Sequence, residues 1–127
     1  RFTARRVSLS RMLWSNPFPT RSVMLRRDVP FRFGDRSVSE DYLMWLELVG
    51  SGAPCYRLEA VMGASFRPDF DPGGWSGHLW RQERSELRAL SALRSRGGLS
   101  ALSWAAASAW SLFKFMRRAL IVGFVRR

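Results

Sequence analysis

The sequence predicts an α/β domain over residues 1–77 that is followed by a basic helical tail over residues 78–127. Short segments with strand character alternate with one clear amphipathic helix in the first part. Two long helical patterns fill the second part, and the later one changes from mixed charge to apolar residues near residue 100. A hydrophobic content of 46% over 127 residues is enough for one modest core.

The first 77 residues contain several short candidate elements. Residues 1–14 carry a weak helical pattern, which the two prolines of "SNPFPT" end. Strands are predicted at residues 21–27, 54–59 and 61–67, and a turn-rich loop at 68–77. This alternation is the basis for the predicted mixed sheet.

A helix is predicted from Glu40 to Val49, because apolar residues recur there on one helical face. Ser39 is a suitable N-cap, and "GSG" ends the segment. Glu40 and Asp41 stand in the first turn. Acids at that place most often complement the helix dipole, whereas an ionised carboxylate beside a hydroxyl can also act as a general base. The dipeptide by itself favours the capping role.

The wider context contains two ordered motifs, "NPFPTRSVMLRRDV" (Asn16–Val29) and "SEDYLMWLELVGSG" (Ser39–Gly52). Together they resemble the second half of family-2 glycosyltransferases of the GT-A fold. The likeness covers residues 14–67 and continues more loosely through "FRPDFDPGGWSGHLWRQERSEL". It implies a partial GT-A domain, Rossmann-like with a mixed sheet, whose N-terminal nucleotide-binding half would precede Arg1.

The resemblance implies an inverting hexosyltransferase that moves a sugar from a nucleotide-diphosphate donor to a glycan or lipid-linked hydroxyl acceptor, in polysaccharide or cell-envelope glycan synthesis. Asp41 would be the general base and Glu40 its neighbour on the acceptor side. A divalent cation, Mg²⁺ or Mn²⁺, would be held mainly by the absent half, so this chain alone is expected to be inactive. The implied substrate-binding residues are Asn16, Thr20, Ser22, Trp45, Ser76 and His78.

Several residues depart from that pattern or lack a clear role. Many relatives carry Arg at the position of Glu47, and Ser or Thr at the position of Arg21. Asp69 and Asp71 form an Asp-x-Asp pair, but a Pro/Gly turn surrounds it and favours a turn role, so no metal ligand is assigned to it. Cys55, the single cysteine, excludes an internal disulfide and is predicted to be a small buried hydrophobe.

The C-terminal stretch from residue 100 predicts a helix that lies on a membrane surface. Lys114, Arg117, Arg118, Arg126 and Arg127 would attract anionic headgroups, with Trp104 and Trp110 as interfacial anchors. The first three cations interrupt the apolar run and disfavour a full span. The alternative is an ordinary helix that covers the core of the missing half. The expected location is cytoplasmic, peripheral at the inner face of the membrane. The apolar stripe comprises Leu102, Ala106, Ala109, Phe113, Met116, Leu120 and Phe124.

The formal charge of +11 leaves two functions of other classes open. A basic module with six Trp could bind nucleic acid through phosphate contacts and base stacking. No nucleic-acid-binding motif is recognisable, so nucleic acid is not the expected partner. The other alternative is a non-catalytic segment that anchors a protein to a membrane.

Overall fold

The computed structural model of the chain describes residues 2–33, 40–63 and 79–125. Within these ranges the fold is mixed α/β, mostly helical, with a small two-stranded antiparallel sheet. The elements are β1 (Ala4–Arg6), α1 (Leu9–Trp14), a 3-10 helix (Thr20–Ser22), α2 (Glu40–Gly50), β2 (Tyr56–Leu58), α3 (Leu79–Ser95) and α4 (Ala101–Val125).

Helices α2, α3 and α4 confirm the helices that were predicted from periodicity. In α2 the buried residues extend beyond one apolar face. This helix packs against both α1 and α3, so most of its circumference faces protein. A helix that is apolar nearly all round is expected in such a central position. The buried side chains of α2 are Tyr42, Met44, Trp45, Leu46, Leu48 and Val49.

A tight connection of residues 96–100 joins α3 to α4. Gly97 has a φ of 77°, and the amides of Gly97 and Gly98 each donate at 2.9 Å to carbonyls in the last turn of α3. This is the Schellman pattern, which favours glycine at the left-handed position. Ser100 Oγ then accepts from the Ser103 amide at 3.1 Å and caps α4. The two helices pack against each other along their length.

The sheet pairs β1 with β2 in antiparallel register, with Arg5 opposite Arg57. The strand predicted at residues 54–59 is therefore confirmed. The weak helical pattern of residues 1–14 is only partly right, because β1 pairs with β2 and helix begins only at Leu9, after the cap Ser8, whose hydroxyl accepts from Arg11 N at 3.2 Å. Pairing with a distant strand overrides local helix preference here.

Two other strand predictions do not hold within the described residues. Residues 21–27 form the end of the 3-10 helix and irregular backbone, and residues 61–63 are irregular and exposed, while 64–67 lie outside the described ranges. A strand needs a neighbour for its backbone groups, and the described residues supply none to these segments. Pro19 instead starts a turn, in which the Ser22 amide donates to the Pro19 carbonyl at 3.0 Å.

One hydrophobic core crosses the predicted boundary near residue 77. Side chains of α3 and α4 are buried in the same cluster as those of α2 and of the segment around α1. Residues 79–122 are therefore packed onto the first part of the chain and do not form a separate core. The buried apolar members are Val7, Met12, Tyr42, Met44, Trp45, Leu46, Leu48, Val49, Ala89, Leu90, Leu93 and Ala107.

Candidate functional site

Asp41 lies in the first turn of α2, and each oxygen of its half-buried carboxylate accepts a hydrogen bond. The backbone N–H of Tyr42 donates to Oδ1 at 2.8 Å, and the Thr20 hydroxyl donates to Oδ2 at 2.6 Å. These two bonds fix the orientation of the carboxylate at the start of the helix. A short distance between a hydroxyl and a carboxylate oxygen is typical of a strong hydrogen bond.

Thr20 is held in place by the turn that follows Pro19. The Ser22 hydroxyl donates to the Pro19 carbonyl at 3.2 Å, which adds to the backbone bond between the same residues. The turn brings the Thr20 side chain to Asp41 while the Ser22 side chain is bonded within the turn itself. Among the described residues that the resemblance implies for substrate binding, Thr20 is hydrogen-bonded to Asp41.

The segment before this turn is fixed against α2 by aromatic packing. Asn16 Oδ1 accepts from the Phe18 amide at 3.0 Å and shapes the backbone ahead of the turn. The Phe18 ring meets Trp45 edge to face with centroids 6.2 Å apart, and Phe33 meets the same indole at 6.1 Å. Trp45 is 2% exposed. It supports the site from within the core, and its role as a substrate contact stays a prediction.

The remaining predicted site residues are placed only in part. Glu40 is the first residue of α2 and is half-buried beside Asp41. Ser76 and His78 lie outside the described residues, as does the Asp69–Asp71 pair. Among the side chains that are described, no group of three His, Cys, Asp or Glu residues is close enough to hold a metal ion. This part of the chain therefore offers no fit for the implied divalent cation.

The arrangement at Asp41 permits one kind of chemistry. A carboxylate of fixed orientation, partly open to solvent, can accept a proton from a hydroxyl that reaches it at hydrogen-bond distance. Thr20 already presents a hydroxyl to Oδ2 at such a distance. A carboxylate oxygen has room for a second donor, so an external hydroxyl can approach without displacing Thr20.

A second cluster of polar side chains lies between α3 and α4. The Lys114 Nζ donates to Glu86 Oε1 at 2.9 Å, and Arg118 Nη2 to Glu83 Oε2 at 3.4 Å. The order of these pairs shows that α3 and α4 run antiparallel. Burial raises the pKa of the Glu83 carboxyl, and the Ser111 hydroxyl and the two cations oppose that rise. We did not predict this cluster from the sequence. Its signal was a pair of carboxylates three residues apart on α3 and a pair of cations four residues apart on α4.

Two further contacts tie α2 to the helices on either side of it. Glu47 on α2 forms an ion pair with Arg96, directly after α3, so it serves packing between helices where relatives of the resembled family carry Arg. The Tyr42 hydroxyl donates to the Met12 carbonyl at 3.2 Å and ties α2 to α1. Burial, and then the Glu86 carboxylate, raise the pKa of that phenol. It therefore remains a neutral hydrogen-bond donor.

Cys55 is half-buried against the core and is a free thiol. Burial raises the pKa of that thiol, which keeps it in the unreactive protonated form. The prediction of a small hydrophobic role agrees with this partial burial.

The tail residues predicted to face a membrane are divided between two faces of α4. The Trp104 indole donates to Ser91 Oγ at 3.2 Å, and the Trp110 indole donates to the Trp14 carbonyl at 3.0 Å. Both indole N–H groups are thus bonded within the protein, which corrects their prediction as interfacial anchors. Lys114 and Arg118 are likewise engaged by α3.

Comparison with known protein families, curated proteins and solved structures finds no match to this chain. None of the helices in the described ranges combines the length and the apolar character needed to cross a membrane.

Proposed function

We propose that this chain is the acceptor-side part of an inverting family-2 glycosyltransferase and that Asp41 is its general base. The observation that carries the proposal is the 2.6 Å hydrogen bond from Thr20 to Asp41. These residues belong to the two motifs on which the resemblance rests, and they are 21 positions apart in the chain. The order of the two motifs in the sequence does not by itself require these residues to touch. Their contact at a partly exposed carboxylate therefore supports the proposal.

In the proposed reaction Asp41 Oδ2 accepts the proton of the acceptor hydroxyl. The freed oxygen then attacks the anomeric carbon of the donor sugar, and the bond from that carbon to the nucleotide diphosphate breaks on the opposite face. Attack from the opposite face inverts the configuration. Glu40 would lie beside the acceptor. A divalent cation would neutralise the leaving diphosphate, and no described residue is assigned as its ligand.

The proposal also includes the substrates and the location. The donor is a nucleotide-diphosphate sugar and the acceptor a glycan or a lipid-linked hydroxyl, as the resemblance implies. The nucleotide site would be built by a half that is not in this sequence. The location is the cytoplasmic side of a membrane, at its surface, which agrees with the unpaired Cys55 and with the apolar residues exposed on α4.

The test is the Asp41→Asn variant in the complete gene product that contains residues 1–127. Transfer from UDP-, GDP- and dTDP-hexoses is followed by release of the nucleotide diphosphate. We expect a loss of about 100-fold or more, because general bases typically contribute that much. The matched control is Asp28→Asn, which removes an exposed carboxylate paired with Arg26 and should leave transfer unchanged.

Circular dichroism of both variants checks that the fold is retained. Full transfer by Asp41→Asn would exclude Asp41 as the base. Transfer by purified Arg1–Arg127 alone would show that no further half is needed, which contradicts the proposal in its present form.

A further inference from the structure

The outer face of α4, defined here by Leu102, Phe113, Met116 and Leu120, carries large apolar side chains that nothing in the described chain covers. These four residues are between 57% and 81% exposed. They recur at spacings of three, four or their sums and therefore form one continuous stripe along the helix. Leu112 and Ile121, also exposed, flank the stripe on opposite sides.

The opposite face of α4 is fixed to the rest of the protein. Ala107 and Ser111 are buried there, and the ion pairs of Lys114 with Glu86 and of Arg118 with α3 follow on the same side. Trp110 is held by the carbonyl of Trp14. Because these contacts set the rotation of the helix about its axis, the outer face cannot turn inward without breaking them.

The charges on α4 favour an anionic surface as the occupant of the outer face. The helix contains three cations and no carboxylate. Lys114 and Arg118 are engaged by α3, whereas Arg117 is exposed and makes no ion pair or hydrogen bond within the described residues. A positive charge that borders a stripe of apolar side chains is typical of helices at membrane interfaces.

The size and charge of the face argue against a second copy of the chain. From Leu102 to Ile121 a helix rises about 29 Å, and a face about 10 Å wide gives roughly 300 Å². A specific interface buries about 800 Å² on each partner. Two copies would also each bring a net charge of +11 and the like charge of Arg117 to the contact.

We propose that the outer face of α4 lies in the interface of a membrane with anionic lipid headgroups, with the helix axis parallel to the surface. Phe113 is then the aromatic anchor, in place of the two tryptophans, and Arg117 contacts the headgroups. The proposal specifies the surface by which the protein would reach the membrane. It does not depend on transferase activity, since binding is measured without donor or acceptor.

The experiment is co-sedimentation of residues 1–127 with vesicles. The vesicles consist either of phosphatidylcholine alone or of phosphatidylcholine with 30% phosphatidylglycerol. The test variant combines Met116→Gln with Leu120→Gln and should weaken binding to anionic vesicles about tenfold or more, because the lost apolar groups each contribute to partitioning. The matched control combines Met24→Gln with Val61→Gln, two residues 93% and 96% exposed elsewhere. It should bind like the wild type.

The electrostatic part is tested by Arg117→Gln against the matched control Arg27→Gln. Loss of one headgroup contact should weaken anionic-vesicle binding about fivefold, and the control should have no effect. A nitroxide attached at Phe113→Cys, in a Cys55→Ser background, should become accessible to oxygen and shielded from a polar nickel reagent when vesicles are added.

Equal binding of the double variant and the wild type would overturn the proposal, as would equal binding to neutral and anionic vesicles. Sedimentation equilibrium without lipid provides a separate outcome. A dimer that the Met116 and Leu120 changes dissociate would assign the face to a second copy and overturn the membrane surface as its occupant. Absence of vesicle binding in the wild type would contradict the membrane location proposed above but leave the assignment of Asp41 as the base untouched. Loss of transfer in Asp41→Asn leaves the membrane-facing role of α4 untouched.

Discussion

Arg118 of α4 reaches Glu83 of α3, whose side chain is fully buried. The nearest nitrogen and oxygen are 3.4 Å apart, the Glu83 side chain has no exposed surface, and the Arg118 side chain is 21% exposed. Glu86 and Lys114 form a second pair one helical turn away. Charges removed from water are costly unless they are paired, so the two pairs depend on each other. They also fix which face of α4 points outward.

Glu83→Gln is expected to change how stability depends on pH. Burial raises the pKa of Glu83 in the folded state above its usual value of 4.5, so the folded state binds the proton more tightly than the unfolded state. The stability of the wild type relative to the variant should therefore be constant below about pH 4.5 and fall as the pH rises from 4.5 through the pKa of the folded state. Urea unfolding at several pH values measures this difference.

Arg118→Gln is the companion variant for that measurement. Arg118 lowers the pKa of Glu83, so its removal should raise that pKa further and make the loss of stability with pH steeper. A difference between wild type and Glu83→Gln that stays constant across this pH range would contradict the prediction.

Thr20→Val should destabilise the chain by about 1 kcal/mol, because it removes the hydroxyl that donates to Asp41 while keeping nearly the same volume. Thr20→Ser keeps the hydroxyl and is the control, with an expected loss of less than about 0.5 kcal/mol. Chemical denaturation gives both values. Equal destabilisation by the two substitutions would mean that methyl packing, and not the hydrogen bond, makes the contribution of Thr20.

Trp110→Phe separates the hydrogen bond of this indole from its ring packing. The variant loses the donor to the Trp14 carbonyl and should cost about 1 kcal/mol of unfolding free energy. Trp110→Ala also loses the edge contact with Trp14, at 4.3 Å between centroids, and should cost at least twice as much. Hydrogen exchange of the α1 amides should accelerate in the same order.

The control for Trp110 is Trp80→Phe, since Trp80 is mostly exposed and meets Phe115 edge to face. Its cost should stay within about 0.5 kcal/mol. If Trp110→Phe and Trp80→Phe have the same small effect, the bond to Trp14 does not stabilise the contact of α1 with α4.

Gly52→Ala should cost about 1 kcal/mol through backbone strain alone. Gly52 has a φ of 83°, a region that L-residues avoid, and an added methyl group would meet no atom within 4 Å. Gly63→Ala is the control, because its surroundings are equally open and its φ lies outside that region. It should be neutral or slightly stabilising. Thermal unfolding distinguishes the two, and equal shifts would refute the assignment of strain.

The sequence predicted the elements whose evidence is local and periodic. Helices α2, α3 and α4 were found because apolar residues recur over several turns. The strand at residues 21–27 was wrong because β-branched character at Val23 does not supply a partner strand. Strand formation depends on pairing, which a single segment does not encode.

In the candidate site, too, local features were predicted from the sequence and contacts between distant segments were not. The helix start placed Asp41 in a first turn, and the family resemblance, not periodicity, linked it to the segment containing Thr20. Periodicity identified the apolar stripe of α4 but could not tell which flank faces α3. Trp104 and Trp110 were therefore assigned to the wrong side. Glu83 was missed because the spacing of its charges does not by itself distinguish a buried ion pair from an exposed one.

The short connection between α3 and α4 has a consequence for the order of folding. Helices joined by so few residues can pair early, because closing a short loop costs little entropy. The contact of Trp14 with Trp110 spans 96 positions and can form only after residue 110 has been synthesised. During synthesis α1 can therefore pack against α2 before it meets α4.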